Sequence, residues 1–142
     1  MTEEYLQPTN GQKSFYKKAR VVTDDFGNKT LYSYDSRIIV TMKGEHYPVF
    51  DQYDSYQLLT QTTLKHIKSY CGWNKKEIMK RVCEQLCPAD IKVGMFLAIP
   101  FYKSIQKVKS IEDDIVEFEN DDIKFNRKYF QHPIYEYKDE TL

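Results

Sequence analysis

The sequence predicts an α+β fold with an N-terminal β-hairpin, a central two-helix unit and a C-terminal antiparallel sheet or small barrel. Three observations predict it. Residues 13–42 are rich in aromatic and β-branched residues, apolar residues recur at helical spacing over 62–87, and alternation with a period of two returns after residue 90. A length of 142 residues suits one domain, so residues 1–142 are predicted to form a single domain with a flexible segment (1–12), a hairpin plus two helices (13–88) and a β-rich C-terminal part (89–142).

The predicted hairpin pairs KSFYKKARVV with KTLYSYDSRIIVTM, and DDFGN lies between them. Asp, Gly and Asn readily adopt the positive φ that a tight turn requires, which is why this connection predicts a hairpin. The next stretch, KGEHYPVFDQYDSYQ, interrupts the alternation. Because Pro48 lacks the amide proton of a ladder donor, this stretch predicts a loop or an edge strand.

The first helix is predicted to begin at Thr62 or Thr63, since either hydroxyl can accept a hydrogen bond from a free amide of the first turn. Gly72 suits the left-handed position just past its end. The apolar residues that fall at helical spacing between these points are Leu64, Ile67 and Cys71.

The second helix is predicted to begin at Asn74, where Glu77 three residues later completes a capping box. Pro88 cannot continue a helix, so the helix is predicted to end at Cys87. The apolar face consists of Ile78, Met79, Val82, Cys83 and Leu86.

The C-terminal part predicts short strands at IKVGMFLAIPF and SIQKVKSI. DDIVEFENDDIKFN then predicts a hairpin in which Val116 and Phe118 oppose Ile123 and Phe125. A run of short strands that begins with KVGM resembles the small SH3-like barrels found in many binding modules.

The formal net charge is zero, with 21 Lys and Arg against 21 Asp and Glu, but the charges are unevenly distributed. Residues 60–87 carry six basic residues against two acidic ones, and this excess predicts a nucleic-acid-binding module as the alternative function. A DNA-reading helix-turn-helix is disfavoured, because two of the basic residues fall where its helices touch; a helical hairpin whose lysines face water is favoured. The basic residues are Lys65, Lys68, Lys75, Lys76, Lys80 and Arg81.

Residues 112–122 contain seven carboxylates and no basic residue. Two interpretations stay open: a solvated hairpin that protects an exposed sheet edge, or a negative surface that meets a basic patch on a partner protein. The carboxylates are Glu112, Asp113, Asp114, Glu117, Glu119, Asp121 and Asp122.

Tyrosines form the other candidate contact surface, since tyrosine is enriched in protein interfaces and on base-stacking platforms. The alternative is that they are core and rim aromatics of a small domain. The tyrosines of the candidate surface are Tyr32, Tyr34, Tyr53 and Tyr56.

Catalytic and metal-binding patterns are missing, so the protein is predicted not to be an enzyme and to need no cofactor. The three histidines, His46, His66 and His132, are scattered, and no GxSxG, HExxH or phosphate-binding glycine loop occurs. Cys83 and Cys87 would share a helix face, but small buried thiols are the ordinary explanation, and no metal is predicted.

The odd number of cysteines favours reduced thiols and a cytoplasmic location. No apolar run approaches the roughly 20 residues of a membrane helix, so no membrane association is predicted. The N-terminus is acidic and lacks the apolar stretch of a secretory signal.

Three segments of the first half of the chain stand out: NGQKSFYKKARV (10–21), KTLYSYDSRIIV (29–40) and TTLKHIKSY (62–70). With these segments the first half resembles a family of small proteins carried by phages and mobile elements of low-GC Gram-positive bacteria, and the C-terminal strands depart from it. The resemblance implies an accessory protein that acts stoichiometrically by occupying another protein, as anti-CRISPR inhibitors do.

These observations predict a non-enzymatic, phage-type protein that binds a host or phage protein and inhibits a host defence system, with a nuclease that handles nucleic acid as the candidate partner. The acidic residues and the tyrosines would form its contact surface. Nucleic acid as a partner and self-association stay open alternatives.

Overall fold

The computed structural model describes residues 1–8, 15, 17–119 and 121–138, and it confirms the α+β fold. The chain divides into two compact units, Met1–Cys83 (unit 1) and Glu84–Leu142 (unit 2). By sequence, unit 1 carries 13 Lys and Arg against 9 Asp and Glu, whereas unit 2 carries 8 against 12. The two units therefore have opposite net charges. The single-domain organisation stays a prediction.

Unit 1 begins with a five-stranded antiparallel sheet in which neighbours in sequence are neighbours in space. Its strands are β1 (Thr2–Tyr5), β2 (Ala19–Thr23), β3 (Lys29–Ser33), β4 (Ser36–Met42) and β5 (Glu45–Pro48). The predicted DDFGN turn joins β2 to β3, with Gly27 at a φ of 85°. The Asp24 carboxylate accepts hydrogen bonds from the amides of Phe26 and Asn28, both at 2.9 Å, which closes the turn.

Three features of this sheet differ from the predicted hairpin or add to it. Residues 2–5 form a strand where a flexible segment was predicted, because β1 is held by backbone pairing to β2 while all its side chains stay exposed. Residues 9–12 of that segment lie outside the described residues. A turn at Tyr34, with a φ of 57°, divides the predicted second strand into β3 and β4. Of the two forms predicted for the stretch around Pro48, a loop or an edge strand, the structure has the edge strand, β5.

Three helices follow: α1 (Ser55–Leu58), α2 (Gln61–Cys71) and α3 (Lys75–Val82). The cap of α2 is Thr60, whose hydroxyl accepts from the Thr63 amide at 3.2 Å, so the prediction of Thr62 or Thr63 is wrong. Thr63 is instead buried inside the first turn, where its hydroxyl bonds another side chain. Gly72 ends α2 at a φ of 80°, as predicted.

The predicted capping box of α3 is present. The Asn74 side chain accepts from the Glu77 amide at 2.9 Å, and the Glu77 carboxylate accepts from the Asn74 amide at 3.1 Å. The helix ends at Val82, however, and not at Cys87. The residues after the helix pair with a distant part of the chain instead. Gln85 forms a β-bridge with Tyr135, and the Leu86 amide donates to the Ile134 carbonyl at 2.7 Å. The predicted buried thiols Cys83 and Cys87 are consequently exposed.

Unit 2 is a 3₁₀ turn followed by a five-stranded antiparallel sheet in the order β10-β6-β7-β8-β9, the first of the two predicted forms. Val116 of β8 pairs with Phe125 of β9, as predicted, but a bulge places Phe118 opposite Asp121. The strands are β6 (Phe96–Ile99), β7 (Ser104–Glu112), β8 (Ile115–Phe118), β9 (Asp121–Asn126) and β10 (Tyr135–Glu136).

Each unit has its own hydrophobic core. In unit 1 the sheet packs against α2 and α3, and full burial of Ile67 or Ile78 contributes about 1.5–3 kcal/mol each. The buried core of unit 1 comprises Val21, Leu31, Ile38, Ile39, Phe50, Leu59, Ile67, Ile78 and Val82. That of unit 2 comprises Ile91, Leu97, Ile99, Val108, Val116, Phe118, Phe125 and Ile134.

Candidate interaction surfaces and a pocket in unit 1

The turn between β7 and β8 presents the first group of acidic residues. Asp113 and Asp114 both have positive φ, 51° and 64°, the backbone of a two-residue hairpin turn. Glu112 and Asp113 are exposed and make no ion pair within the described residues. Asp114 is held by Arg127, with Nε 2.8 Å from Oδ1, and a hydrogen bond from this guanidinium is the main cause that lowers the pKa of the Asp114 carboxyl. The turn is thus a fixed structure that carries two unpaired carboxylates.

The remaining predicted carboxylates are less uniform. Glu117 is half-buried and accepts from the Ser110 hydroxyl at 3.4 Å, and Glu119 lies 3.9 Å from the Lys107 ammonium. Asp122 is exposed, and the side chain of Asp121 lies outside the described part of the structure. Within the predicted acidic surface, the Glu119 charge is therefore partly compensated by the Lys107 ammonium, and the Glu117 carboxylate accepts a hydrogen bond.

An aromatic cluster in unit 2 was not predicted. Phe101 stacks on His132 with the ring centroids 3.8 Å apart, and Phe130 stacks on Phe125 at 4.3 Å and on Tyr102 at 5.9 Å. We call these five rings the aromatic stack. It begins in the core at Phe125, but Phe101 is 44% exposed and Tyr102 37% exposed.

A short turn connects the aromatic stack to the acidic turn. The Arg127 amide donates to the Asp114 carbonyl at 2.8 Å, and the Phe130 amide donates to the Asn126 carbonyl at 3.1 Å. Tyr129 lies between them and is 76% exposed. We call Glu112, Asp113, Tyr129 and the aromatic stack together the acidic–aromatic face.

The four predicted tyrosines lie in unit 1, so they belong to a different unit from the carboxylates. Tyr32 is half-buried beneath the Arg20 guanidinium, 4.2 Å from the ring centroid, and Tyr34 is 47% exposed. Tyr53 and Tyr56, just before and within α1, are 78% and 90% exposed. Of the four, Tyr53 and Tyr56 present the largest free aromatic surface.

The basic residues of the helical hairpin have two kinds of environment. The five lysines are exposed, as the hairpin with lysines facing water predicts. Arg81 instead lies against β5: its Nε donates to the His46 carbonyl at 3.0 Å, and its guanidinium lies 4.7 Å from the Tyr47 ring centroid. The exposed residues are Lys65, Lys68, Lys75, Lys76 and Lys80.

Arg81 also lines a pocket of about 330 Å³ in unit 1. The turn after β4 and the first residues of β5 form one side, and the residue before the α3 cap forms the other. The lining residues are Gly44, Glu45, His46, Trp73 and Arg81. The pocket was not predictable from the sequence, because its residues lie up to 37 positions apart and match no known motif.

Inside unit 1, His66 takes part in a buried polar chain. Its Nδ1 lies 2.8 Å from the Ser33 hydroxyl, which lies 3.0 Å from the Thr63 hydroxyl. Phe15 packs edge-on against the imidazole with centroids 4.6 Å apart, and Nε2 has no partner within the described residues. Burial, and then the charge of Lys18, lowers the pKa of His66, so the ring is neutral and tethers α2 to β3.

Within the described residues, no three His, Cys, Asp or Glu side chains lie close enough together to hold a metal ion. Burial raises the pKa of the Cys71 thiol to about 11, which makes it a poor nucleophile at neutral pH. Of the helices in the described part of the chain, none has the length and apolar character to cross a bilayer.

A family model matches part of the chain. The model of a family of unknown function, DUF8033, matches residues 5–85, which is more than half of the chain and covers most of unit 1. No curated protein and no solved structure matches the chain. The candidate pocket, with all five lining residues between 44 and 81, lies inside the matched region.

Proposed function

The chain belongs to the DUF8033 family, and since the function of that family is unknown, we propose one from geometry: the protein is a non-enzymatic accessory protein that binds another protein through the acidic–aromatic face of unit 2. One observation carries the proposal. The segment 127–130 carries the exposed Tyr129 and the stacked ring of Phe130, and Arg127 bonds it to the turn between β7 and β8. Within the described residues, neither Glu112 nor Asp113 at this turn has an ion pair.

The exposed rings supply the apolar part of such an interface. Rings that stack on one another lose little conformational freedom when a partner covers them, so more of the burial free energy is available for binding. Tyr129 is the strongest candidate for a central contact, because it combines a large apolar ring with a hydroxyl and is 76% exposed.

The carboxylates indicate the charge of the partner. Glu112 and Asp113 have no ion pair within the described residues, so a basic surface would find them available. Opposite charges on two partners speed their association and fix their orientation. A host nuclease presents such a surface where it holds nucleic acid, and occupation of that surface would inhibit it in the bacterial cytoplasm. The mobile-element setting is part of this proposal.

A matched set of variants tests the proposal. Glu112→Gln with Asp113→Asn removes both charges and keeps side-chain shape, and Tyr129→Ala removes the exposed ring. Glu4→Gln removes an exposed carboxylate from β1 of unit 1 and is the control. In affinity capture from the bacterial host, a specific partner should be retained by wild type and by Glu4→Gln.

The same partner, once purified, should bind each unit 2 variant at least tenfold more weakly. The double carboxyl variant should also lose most of the salt dependence of the association rate. Equal retention by all variants, or the absence of any retained protein, would contradict the proposal.

The exposed lysines of α2 and α3 support nucleic-acid binding as a second candidate function. Phosphate contacts release counterions, so such binding would weaken steeply between 50 and 200 mM salt, by about 500-fold for five contacts. A gel-shift titration at these two salt concentrations tests it, with Lys68→Gln and Lys75→Gln as variants. Binding that is weak and insensitive to salt would remove this candidate.

A further inference from the structure

The pocket in unit 1 has a built frame. The Tyr47 hydroxyl donates to Oε2 of Glu45 at 2.9 Å, and the Arg81 guanidinium lies 3.5 Å from the same oxygen. Arg81 is anchored in turn on the His46 carbonyl and the Tyr47 ring. The carboxylate at the pocket wall is therefore held in place before any ligand arrives.

Two aromatic rings give the pocket its shape. The planes of His46 and Trp73 are perpendicular, with centroids 5.4 Å apart, so the rings form a corner. The Thr41 hydroxyl lies 2.7 Å from Nδ1 of His46 and 2.5 Å from the Tyr70 hydroxyl, which fixes the imidazole. Burial, and then the charge of Arg81, lowers the pKa of His46, so this wall is neutral. A flat ring laid against either wall meets the edge of the other.

The polar groups indicate which flat ring fits. Glu45 and Arg81 carry opposite charges, so the pocket has no net charge with which to select a simple ion. A carboxylate only accepts hydrogen bonds, and the positive field of Arg81 beside it favours an acceptor oxygen on the ligand. The best ligand therefore offers N–H donors next to a carbonyl on one edge of a planar ring.

Nucleobases are such rings, and proteins bind unpaired bases by stacking them on aromatic side chains and bonding their Watson–Crick edges. Guanine alone places two adjacent donors, N1–H and the 2-amino group, beside an acceptor, O6. We propose that the pocket of Glu45, His46, Trp73 and Arg81 binds a guanine base, stacked on Trp73, with its donor edge on the Glu45 carboxylate. The base can come from a free nucleotide or from a single-stranded nucleic acid.

The chain contains one tryptophan, so its fluorescence reports on this pocket without a label. Titration with GMP should quench Trp73 fluorescence, whereas ribose 5-phosphate, UMP and CMP should bind at least tenfold more weakly. IMP lacks only the 2-amino group and should also bind about tenfold more weakly, a comparison that requires no variant. Equal quenching by all nucleotides, or by ribose 5-phosphate, would overturn the proposal.

Variants test the carboxylate directly. Glu45→Gln should weaken GMP binding at least tenfold, whereas Glu4→Gln, which removes the same charge from the exposed strand β1, should leave it unchanged. Urea unfolding of each variant establishes that the fold is intact. Equal GMP affinity for wild type and a folded Glu45→Gln protein would overturn the proposal.

A last titration separates the two sources of the base. An oligonucleotide UUGUU that binds at least tenfold more tightly than GMP, with UUAUU weak, identifies a base within a single strand. Comparable affinities for GMP and UUGUU identify the free nucleotide. Either result supports a guanine site, while equal affinity for UUGUU and UUAUU would overturn it.

Discussion

Replacement of Asn74 by alanine should destabilise unit 1 and loosen the Trp73 side of the pocket. The variant removes the side-chain oxygen that accepts from the Glu77 amide. The bond from the backbone amide of residue 74 to the Glu77 carboxylate then lacks the second bond of the capping box. Both hydrogen bonds are exposed, so water replaces part of each. The loss should therefore be near the centre of the range for N-caps, about 1 kcal/mol.

Urea unfolding measures this loss, with Trp73 fluorescence as the signal, because Trp73 packs against the core of unit 1. With a urea dependence of about 2 kcal/mol per molar, a loss of about 1 kcal/mol lowers the unfolding midpoint by roughly 0.5 M. Trp73 immediately precedes the cap, so the variant should also show weaker GMP quenching than wild type.

Asn74→Asp is the matched control. It keeps an acceptor at the cap and adds a negative charge at a helix N-terminus, so its midpoint should equal or exceed that of wild type. A midpoint for Asn74→Ala within 0.1 M of wild type would refute the assignment of this stability to the capping box. So would an Asn74→Asp variant as unstable as the alanine variant.

Three further predictions concern the thiols, the histidines and the core. At pH 7.5, iodoacetamide should label the exposed Cys83 and Cys87 first and Cys71, with a pKa of about 11, only after unfolding; rapid labelling of all three, seen by mass spectrometry, would contradict this. Burial lowers the pKa of His46 and His66 below 6.5, so below that pH the unfolded chain binds more protons than the native one. The free energy of unfolding should therefore be highest above pH 6.5 and decrease as the pH falls, and it should decrease less in His66→Gln. Urea midpoints that stay constant from pH 8 to 5 would disprove this prediction. Ile67→Ala should lower the free energy of unfolding by about 2–5 kcal/mol and Ile67→Val by about 0.5–1.5 kcal/mol, and equal losses in urea titrations would argue against close packing around Ile67.

Local chemistry explains what could be predicted from the sequence. The capping box of α3, the glycine after α2 and the DDFGN turn each depend on residues within five positions of one another. Their hydrogen bonds close inside short segments, so residue type and spacing were sufficient. The same is true of Val116 and Phe125, which face each other across one hairpin.

Features that depend on distant partners were not predictable. Gln85 and Leu86, which were predicted to be helical, instead pair with residues near 135, about 50 positions away. β1 is held by backbone pairing that leaves no apolar pattern. The aromatic stack unites rings from the 101–102 turn with rings near 125–132. The basic residues of the two helices look alike in the sequence. It was therefore not predictable that Arg81, unlike the five exposed lysines, lies against a strand 35 residues earlier.

The opposite charges of the two units change the meaning of an overall charge of zero. A neutral protein is ordinarily expected to have a weak surface field and to interact little with charged matrices. Here the positive net charge of unit 1 offsets the negative net charge of unit 2, so each unit still attracts molecules of the opposite charge. The intact protein is therefore expected to bind weakly to both cation and anion exchange resins at low ionic strength, through different ends of its sequence.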